Sequence, residues 1–401
     1  MAAEPSTKTR AWSIFDRIVA EAAPGGEHSN PWRASADGRP HYEPDFAVLE
    51  KLLGVPLHLD ANTQSGVPAL SLDVWLSYEL RRAGFDPDAT WPRPTHPRIL
   101  PGPVAKLLQD LPADLRRQVS DRLTRKAAIP GVTSASANIL GKNYLKQVDV
   151  IMTDWATGPE LLISTKRMDS SYGKNAANRV EESYGDAKNL RLRHPLAALG
   201  FVFGLRSDIL QSEPDTAEWL IDLLGKLGEE EDAYHATCLV MIEYGDDAFG
   251  DSAQPGGDAA GAGPPAAAGE AFIDTPPSAA EESMDASPSS DGEALLDEPP
   301  PLPGIDRPGD EDATGSMAEA SVSTAMLPRV RVQHESIPQE LSPARFLRLM
   351  VNRVLDTTPV SMHREARRRR REALAASQPG TSHSARAHPG DLGVARGEAG
   401  R

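Results

Sequence analysis

Apolar residues in the first hundred positions recur at helical spacing between proline-rich connections. Trp12, Phe15, Ile18, Val19 and Ala22 share one face of a predicted helix, and Phe46 to Leu53 predicts a second. Leu70 to Ala83 reads as a third, with Trp75, Leu76 and Leu80 at helical spacing and Gly84 as its stop. A fourth run, from Val104 to Arg125, is broken near Leu111 by Pro112, whose ring clashes with the preceding turn.

The period then changes. Tyr144 to Thr153 and Glu160 to Lys166 are short apolar runs flanking a Gly158-Pro159 turn, the pattern of an antiparallel hairpin. Lys174 to Leu192 places Ala176, Val180, Tyr184, Ala187 and Leu190 on one helical face. A buried strand follows at Pro195 to Leu205, a helix at Thr216 to Leu227, and another strand at Tyr234 to Tyr244. The order hairpin, helix, strand, helix, strand predicts an α/β fold with a mixed central sheet flanked by helices, preceded by a helical N-terminal region.

Charge changes the picture once it is divided by region. The chain has 401 residues and a formal net charge of −16, yet Asp246 to Glu319 holds 18 acidic residues against Arg307 alone. That segment carries −17 and the rest of the chain +1, so the overall acidity does not argue against a polyanionic partner. Rich in Ala, Pro, Gly and Ser, with Phe249 and Phe272 its only aromatics, the segment cannot offset the cost of ordering and predicts a disordered linker. It acts as a solubilising spacer or as a DNA mimic. The expected organisation is a helical region at 1–130, an α/β core at 131–245, an acidic linker at 246–325, a returning strand and helix at 326–376, and a disordered tail at 377–401.

Cys238 is the single cysteine, which excludes a disulfide framework and any multi-cysteine zinc site. The N-terminus has no apolar leader and no stretch approaches the ~20 apolar residues that span a bilayer, so a cytoplasmic protein is expected. No HExxH, paired CxxC or GxSxG string occurs, and Gly141-Lys142-Asn143 lacks the spacing of a phosphate loop. His235 and Cys238 read as core or edge residues.

Three groups carry candidate chemistry: Asp149 in an apolar strand, Ser164-Thr165-Lys166 at the end of its partner, and Glu181-Glu182 on the following helix. Each alone fits a solvated face or a sheet-edge lysine. Together they sit on adjacent elements in an order that lets their side chains converge. Phosphodiester hydrolysis needs a hard cation held by carboxylates, a water activated beside it, and positive charge near the developing phosphorane. Asp149 can ligate the metal, Lys166 can orient the water, and Glu181 or Glu182 can complete the metal shell.

These residues resemble the core of the PD-(D/E)XK nuclease superfamily, the fold of most type II restriction endonucleases. Ser164 stands where that pattern has an acid. A branch similar to NgoMIV, Cfr10I and EcoRII has Ser-x-Lys there and takes its second carboxylate from the next helix. Glu181 fits that position and Glu182 is the neighbouring candidate; Glu181 is favoured because it borders the apolar face through Ala177 and Tyr184. Val148 replaces the usual proline before the first Asp. The resemblance implies a Mg²⁺-dependent endonuclease acting on double-stranded DNA as a homodimer, with Asp149, Glu181 and Glu182 as metal ligands and Asp149, Ser164, Lys166 and Glu181 as the catalytic set. The alternative is a nuclease-derived fold that binds DNA or scaffolds without cutting.

Ser170, Ser171, Lys174, Asn175, Asn178 and Arg179 follow the candidate catalytic strand, where a loop and a helix N-terminus could contact phosphates; a solvated face is the other reading. Asp73 and Glu79 lie on an early helix of the kind that packs beside the active site in many of these nucleases, or on an ordinary amphipathic helix. Arg367 to Arg371 could bind nucleic acid electrostatically, or could simply end a helix.

Overall fold

The computed structural model describes residues 5–34, 40–125, 137–245, 324–334 and 337–377. The chain divides into two units, one of Met1–Gly250 with Glu311–Arg401 and one of Asp251–Asp310. The second unit, nearly all of the expected linker at 246–325 and nearly all of the expected tail at 377–401 lie outside the described residues.

The strands, numbered in chain order, are β1 (Trp32–Arg33), β2 (His41–Tyr42), β3 (Thr90–Trp91), β4 (Asn138–Leu140), β5 (Leu145–Gln147), β6 (Val150–Asp154), β7 (Gly158–Met168), β8 (Ala198–Arg206), β9 (Ala236–Tyr244) and β10 (Val330–Gln333). The principal helices are α1 (Thr7–Ala22), α2 (Phe46–His58), α3 (Val67–Arg82), α4 (Gly102–Asp110), α5 (Ala113–Arg125), α6 (Tyr172–Arg191), α7 (Ile209–Ser212), α8 (Pro214–Glu229), α9 (Pro343–Thr357) and α10 (Arg364–Ser377). Six strands form one mixed sheet in the order β10-β9-β8-β7-β6-β3. The β6–β7 hairpin is antiparallel, with Val150 opposite Ile163, whereas β8 runs parallel to both β7 and β9. The helices α6 and α8 supply the parallel crossovers.

Both faces of the sheet are buried, so its central strands read as continuous apolar runs. On one face Val150, Met152, Leu161, Ile163, Val202 and Val240 pack against α1, α2, α3 and α9. On the other, Ile151, Leu162, Phe201, Phe203, Leu239 and Met241 pack against α6 and α8. The N-terminal helices therefore share a core with the sheet, and β3 from that region closes one edge of it. β10 pairs with β9 across a sequence gap that includes residues 246–323. Among the described residues no helix is long and apolar enough to cross a membrane.

Local signals account for several boundaries. Ser6 and Asp45 accept the first free amides of α1 and α2, from Thr9 at 3.2 Å and Val48 at 3.1 Å. Gly84 ends α3 with a left-handed φ of 98°, and a side chain there would come within 2.8 Å of the Ala366 nitrogen, where α10 crosses. Gly200 on β8 admits the Phe346 ring of α9, which would lie 2.6 Å from a β-carbon at that position.

Two elements differ from their sequence reading in ways that matter for the site. Tyr144 to Thr153 is two strands, because the chain leaves the β4–β5 pair at Val148 and starts β6 at Val150. Asp149 thus lies in the junction and not within the strand. On α6 the buried face runs through Ala176, Val180, Ser183, Asp186, Ala187 and Leu190, while Tyr184 is exposed. Burial is displaced by about one position from the apolar pattern, toward the polar edge carrying Glu182, Asp186 and Asn189.

Candidate functional site

Alternation along β7 separates its residues between two environments. Leu161 and Ile163 enter the core beneath α3, and Thr165 on the same side reaches Asp73 of that helix. Leu162 enters the opposite core, and Ser164 and Lys166 on that side meet the Tyr234 phenol and α6 respectively. The strand therefore delivers a threonine to one helix and a serine and a lysine to the other.

Asp149 sits where the β6–β7 ladder would continue. Its Oδ2 accepts the Thr165 amide at 2.8 Å, taking the place of a strand carbonyl. Thr165 also donates its hydroxyl to Asp73 Oδ1 at 2.6 Å, so one residue ties both carboxylates together. Burial raises the Asp149 carboxyl above its ordinary value and Asp186 adds to this, against the Thr165 amide, Lys166 and Lys146. Burial pushes Asp73 well up, and the Asp149 charge pushes it further.

A polar cavity of about 180 Å³ opens beside Asp149, lined also by Lys146, Ser164, Lys166, Ser183 and Asp186. Liquid water occupies about 30 Å³ per molecule, so the volume suits a phosphate group with a few waters. Lys166 Nζ lies 3.2 Å from Glu182 Oε1, and Lys146 pairs with Asp186 and lies 3.9 Å from Glu182. Burial opposes ionisation of Glu182, but Lys166, Lys146 and Arg179 outweigh it and hold its carboxyl below the usual range. Tyr144 donates to Asp186 at 3.2 Å. Ser164 is buried beside the Tyr234 phenol, which donates to the Ser183 carbonyl at 3.0 Å.

The structure thus brings together Asp149, Ser164 and Lys166, with Glu182 joined through Lys166. It places Glu181 on the exposed side of α6, away from this cavity. The reason is helix phase: 182 and 186 are one turn apart on the edge facing Lys146 and Lys166, and 181 is rotated about 100° from 182. Sequence reasoning missed Lys146 and Asp186. The signal for Asp186 was its i,i+4 spacing from Glu182. Asp73 is one turn or more from Glu79 on α3, but the two have different fates. Asp73 reaches Thr165, whereas Glu79 is fully buried in an ion pair with Arg82 at 2.8 Å and accepts the Asp45 amide at 2.7 Å. α3 is buried almost all round, so neither residue lies on a solvated amphipathic face.

The candidate DNA-contacting residues are dispersed around the start of α6. Ser170, Ser171, Asn175, Asn178 and Arg179 are exposed, while Lys174 has no described side chain. Ser171 adopts φ 58° and Asn175 donates to its carbonyl at 3.2 Å. Arg179 pairs with Glu182 at 3.3 Å. The helix N-terminus already has an anion, because the Gly173 amide donates to Glu213 Oε2 at 2.9 Å.

Among the described residues no three His, Cys, Asp or Glu side chains are grouped so as to hold a metal ion. Magnesium is commonly held by one or two carboxylates, with water and substrate phosphate completing its shell. The buried, mutually repelling carboxylates around Asp149 suit an open site of that kind. The chain matches no protein-family model, no curated protein and no solved structure.

Proposed function

We propose that this protein is a Mg²⁺-dependent DNA endonuclease of the type II restriction class, acting as a homodimer so that two sites cut two strands. The observation that carries the reading is the cavity flanked by Asp149, from the junction before β6, and Lys166, from the paired β7, with Ser164 beside them. A carboxylate at the start of one strand and an ammonium on its neighbour, with acids from the next helix, are what phosphodiester hydrolysis requires. The near-neutral charge of the chain outside the acidic segment is compatible with a polyanionic substrate.

A hard divalent cation held by Asp149 with Asp186 would supply Lewis-acid polarisation of the phosphate and of a bound water. Thr165 fixes the Asp149 carboxylate through its amide, leaving the other oxygen for a ligand. Lys166, oriented by Glu182, presents positive charge to the attacking water and to the phosphorane. Ser164, buried beside Tyr234, fills the position of the missing acid without adding negative charge.

Supercoiled plasmid incubated with Mg²⁺ tests this reading. Wild-type protein is expected to linearise or fragment it, and Asp149→Ala and Lys166→Ala to leave it intact with unchanged circular dichroism. Equal cleavage by all three proteins would sink the assignment. A second reading, a nuclease-like fold that binds DNA without cutting, is favoured by Ser164, which stands on β7 in place of an acid. It predicts DNA binding with no Mg²⁺-dependent cleavage in wild type.

A further inference from the structure

A second cavity, of about 910 Å³, shares no lining residue with the one beside Asp149. It lies against α1, the end of α3 and the start of α10, and falls in the 300–1,000 Å³ range of small-molecule sites. Val19, Ala23, Phe85 and Met362 give it an apolar wall, and Arg81 and His28 give it a polar one.

The lining carries Asp16, Asp86, Asp154, Glu160 and Glu365 against Arg81, Arg364 and Arg369, and its acids are already engaged away from the Arg81 wall. Asp16 is held by Arg98 at 2.6 Å, Glu160 by His363 at 3.0 Å, and Glu365 by Arg369 at 2.7 Å. Asp86 and Asp154 belong to turns and accept the amides of Asp88 and Ala156. Arg81 is different. It is 4% exposed, donates to the Pro92 carbonyl at 3.2 Å, and forms no ion pair among the described residues. Its buried Nε has no hydrogen-bond partner, and neither has Nδ1 of His28.

The acid that acts on Arg81, Asp16, is already held by Arg98, whose own charge opposes that of Arg81, so the buried guanidinium is only partly compensated and an anion entering beside it relieves the cost. The field is positive at this wall: burial and then Arg81, Arg369 and Arg82 push His28 down to about 4, leaving it neutral and able to donate or accept one hydrogen bond. Guanidinium geometry suits the planar oxygens of carboxylate and phosphate alike.

We propose that this cavity binds a small organic anion, a phosphate monoester or a carboxylate on an apolar body, with the anionic group on Arg81 and His28 and the body against Phe85 and Met362. The site is independent of the nuclease assignment and of Asp149.

Isothermal titration calorimetry of the full chain tests it with deoxyadenosine monophosphate and indole-3-acetate as probes. Inorganic phosphate serves as the anion without a body and deoxyadenosine as the body without an anion. At least one of the two organic anions is expected to saturate a single site with Kd below about 1 mM. The two fragments are expected to bind about tenfold more weakly or worse. Which probe binds more tightly distinguishes a phosphate from a carboxylate ligand. Arg81→Gln is expected to weaken binding by about tenfold. Ala20→Trp, which fills the cavity mouth from the exposed side of α1, is expected to abolish binding without lowering the melting temperature. Asp149→Ala is expected to bind as wild type, which separates this site from the catalytic one. Failure of both organic anions to saturate at about 5 mM, or wild-type binding by folded Ala20→Trp, would overturn the proposal. Should Arg81→Gln fail to fold, Ala20→Trp decides the question.

Discussion

Thr165 donates its hydroxyl to Asp73 at 2.6 Å across 92 positions of sequence, while its amide holds Asp149 at 2.8 Å. One β7 residue thereby ties an N-terminal helix to the junction that carries the candidate metal ligand. Thr165→Val keeps the shape and removes the donor, leaving the buried Asp73 oxygen without it. An unsatisfied buried polar group costs about 1 to 3 kcal/mol, so urea unfolding should report a loss of that size. Thr165→Ser should restore most of it. Equal stability of the two variants would show that the hydroxyl is not what matters.

The two glutamates of α6 are expected to behave differently. Glu182 orients Lys166, so Glu182→Gln should slow single-turnover plasmid cleavage about tenfold or more, equivalent to about 1.4 kcal/mol of barrier. Asp186→Asn should act in the same direction, since it lines the cavity and holds Lys146. Glu181→Gln is exposed and should stay within about twofold of wild type. The reverse ranking would restore Glu181 as the acid of the site.

Within the run Arg367 to Arg371, Arg367 and Arg369 are built into the structure. Arg367 donates to the carbonyls of Leu355, Thr358 and Met362, which follow or end α9. Arg369 reaches the carbonyls of His28 at 3.0 Å and Arg82 at 2.7 Å while pairing with Glu365. Arg369→Ala should therefore lower the unfolding free energy by about 2 to 3 kcal/mol, as expected for lost charge-assisted hydrogen bonds. Arg371→Ala, exposed and bonded only locally to the Arg367 carbonyl in the described contacts, should change it by less than about 0.5 kcal/mol. Chemical denaturation of both variants checks the contrast.

Two histidines should make the fold acid-sensitive above the carboxylate range. His235 accepts the Leu199 amide on Nδ1 at 2.9 Å, and burial, then Arg191 and Arg353, push it from 6.5 down to about 4. His28 is pushed to a similar value. The unfolded chain takes up these protons near pH 6.5 and the folded protein only near 4. Stability is therefore fully present above pH 6.5 and falls as pH drops toward 4. Allowing for partial solvent contact, each should contribute about 1 to 2 kcal/mol across that window. The double variant His28→Gln with His235→Gln should show a flatter profile in guanidinium melts between pH 7 and 4.5, and an unchanged slope would refute the assignment.

Sequence alone determined the features that depend on local periodicity and turn chemistry. The β6–β7 hairpin, the break at Pro112 and the alternation of helix and strand after Lys166 are written in spacing, because neighbouring residues enforce it, although the turn falls at residues 155–157 and Gly158 and Pro159, expected to form it, are the first paired residues of β7. Asp149, Ser164 and Lys166 were legible as a group for the same reason: Asp149 immediately precedes one strand of a hairpin, and Ser164 and Lys166 lie on the other. Tertiary structure decided the rest. Which acid of α6 faces Lys166 depended on a rotation of the helix by about one residue, set by packing over the sheet and invisible in its apolar pattern. The pairing of Asp73 with Thr165, and the distribution of Arg369 among carbonyls of distant loops, depended on chain segments far apart in sequence meeting in one core. A charged residue in a helix reads as a solvated face until the elements that surround it are known. For α3 and α10 those elements came from the other ends of the chain.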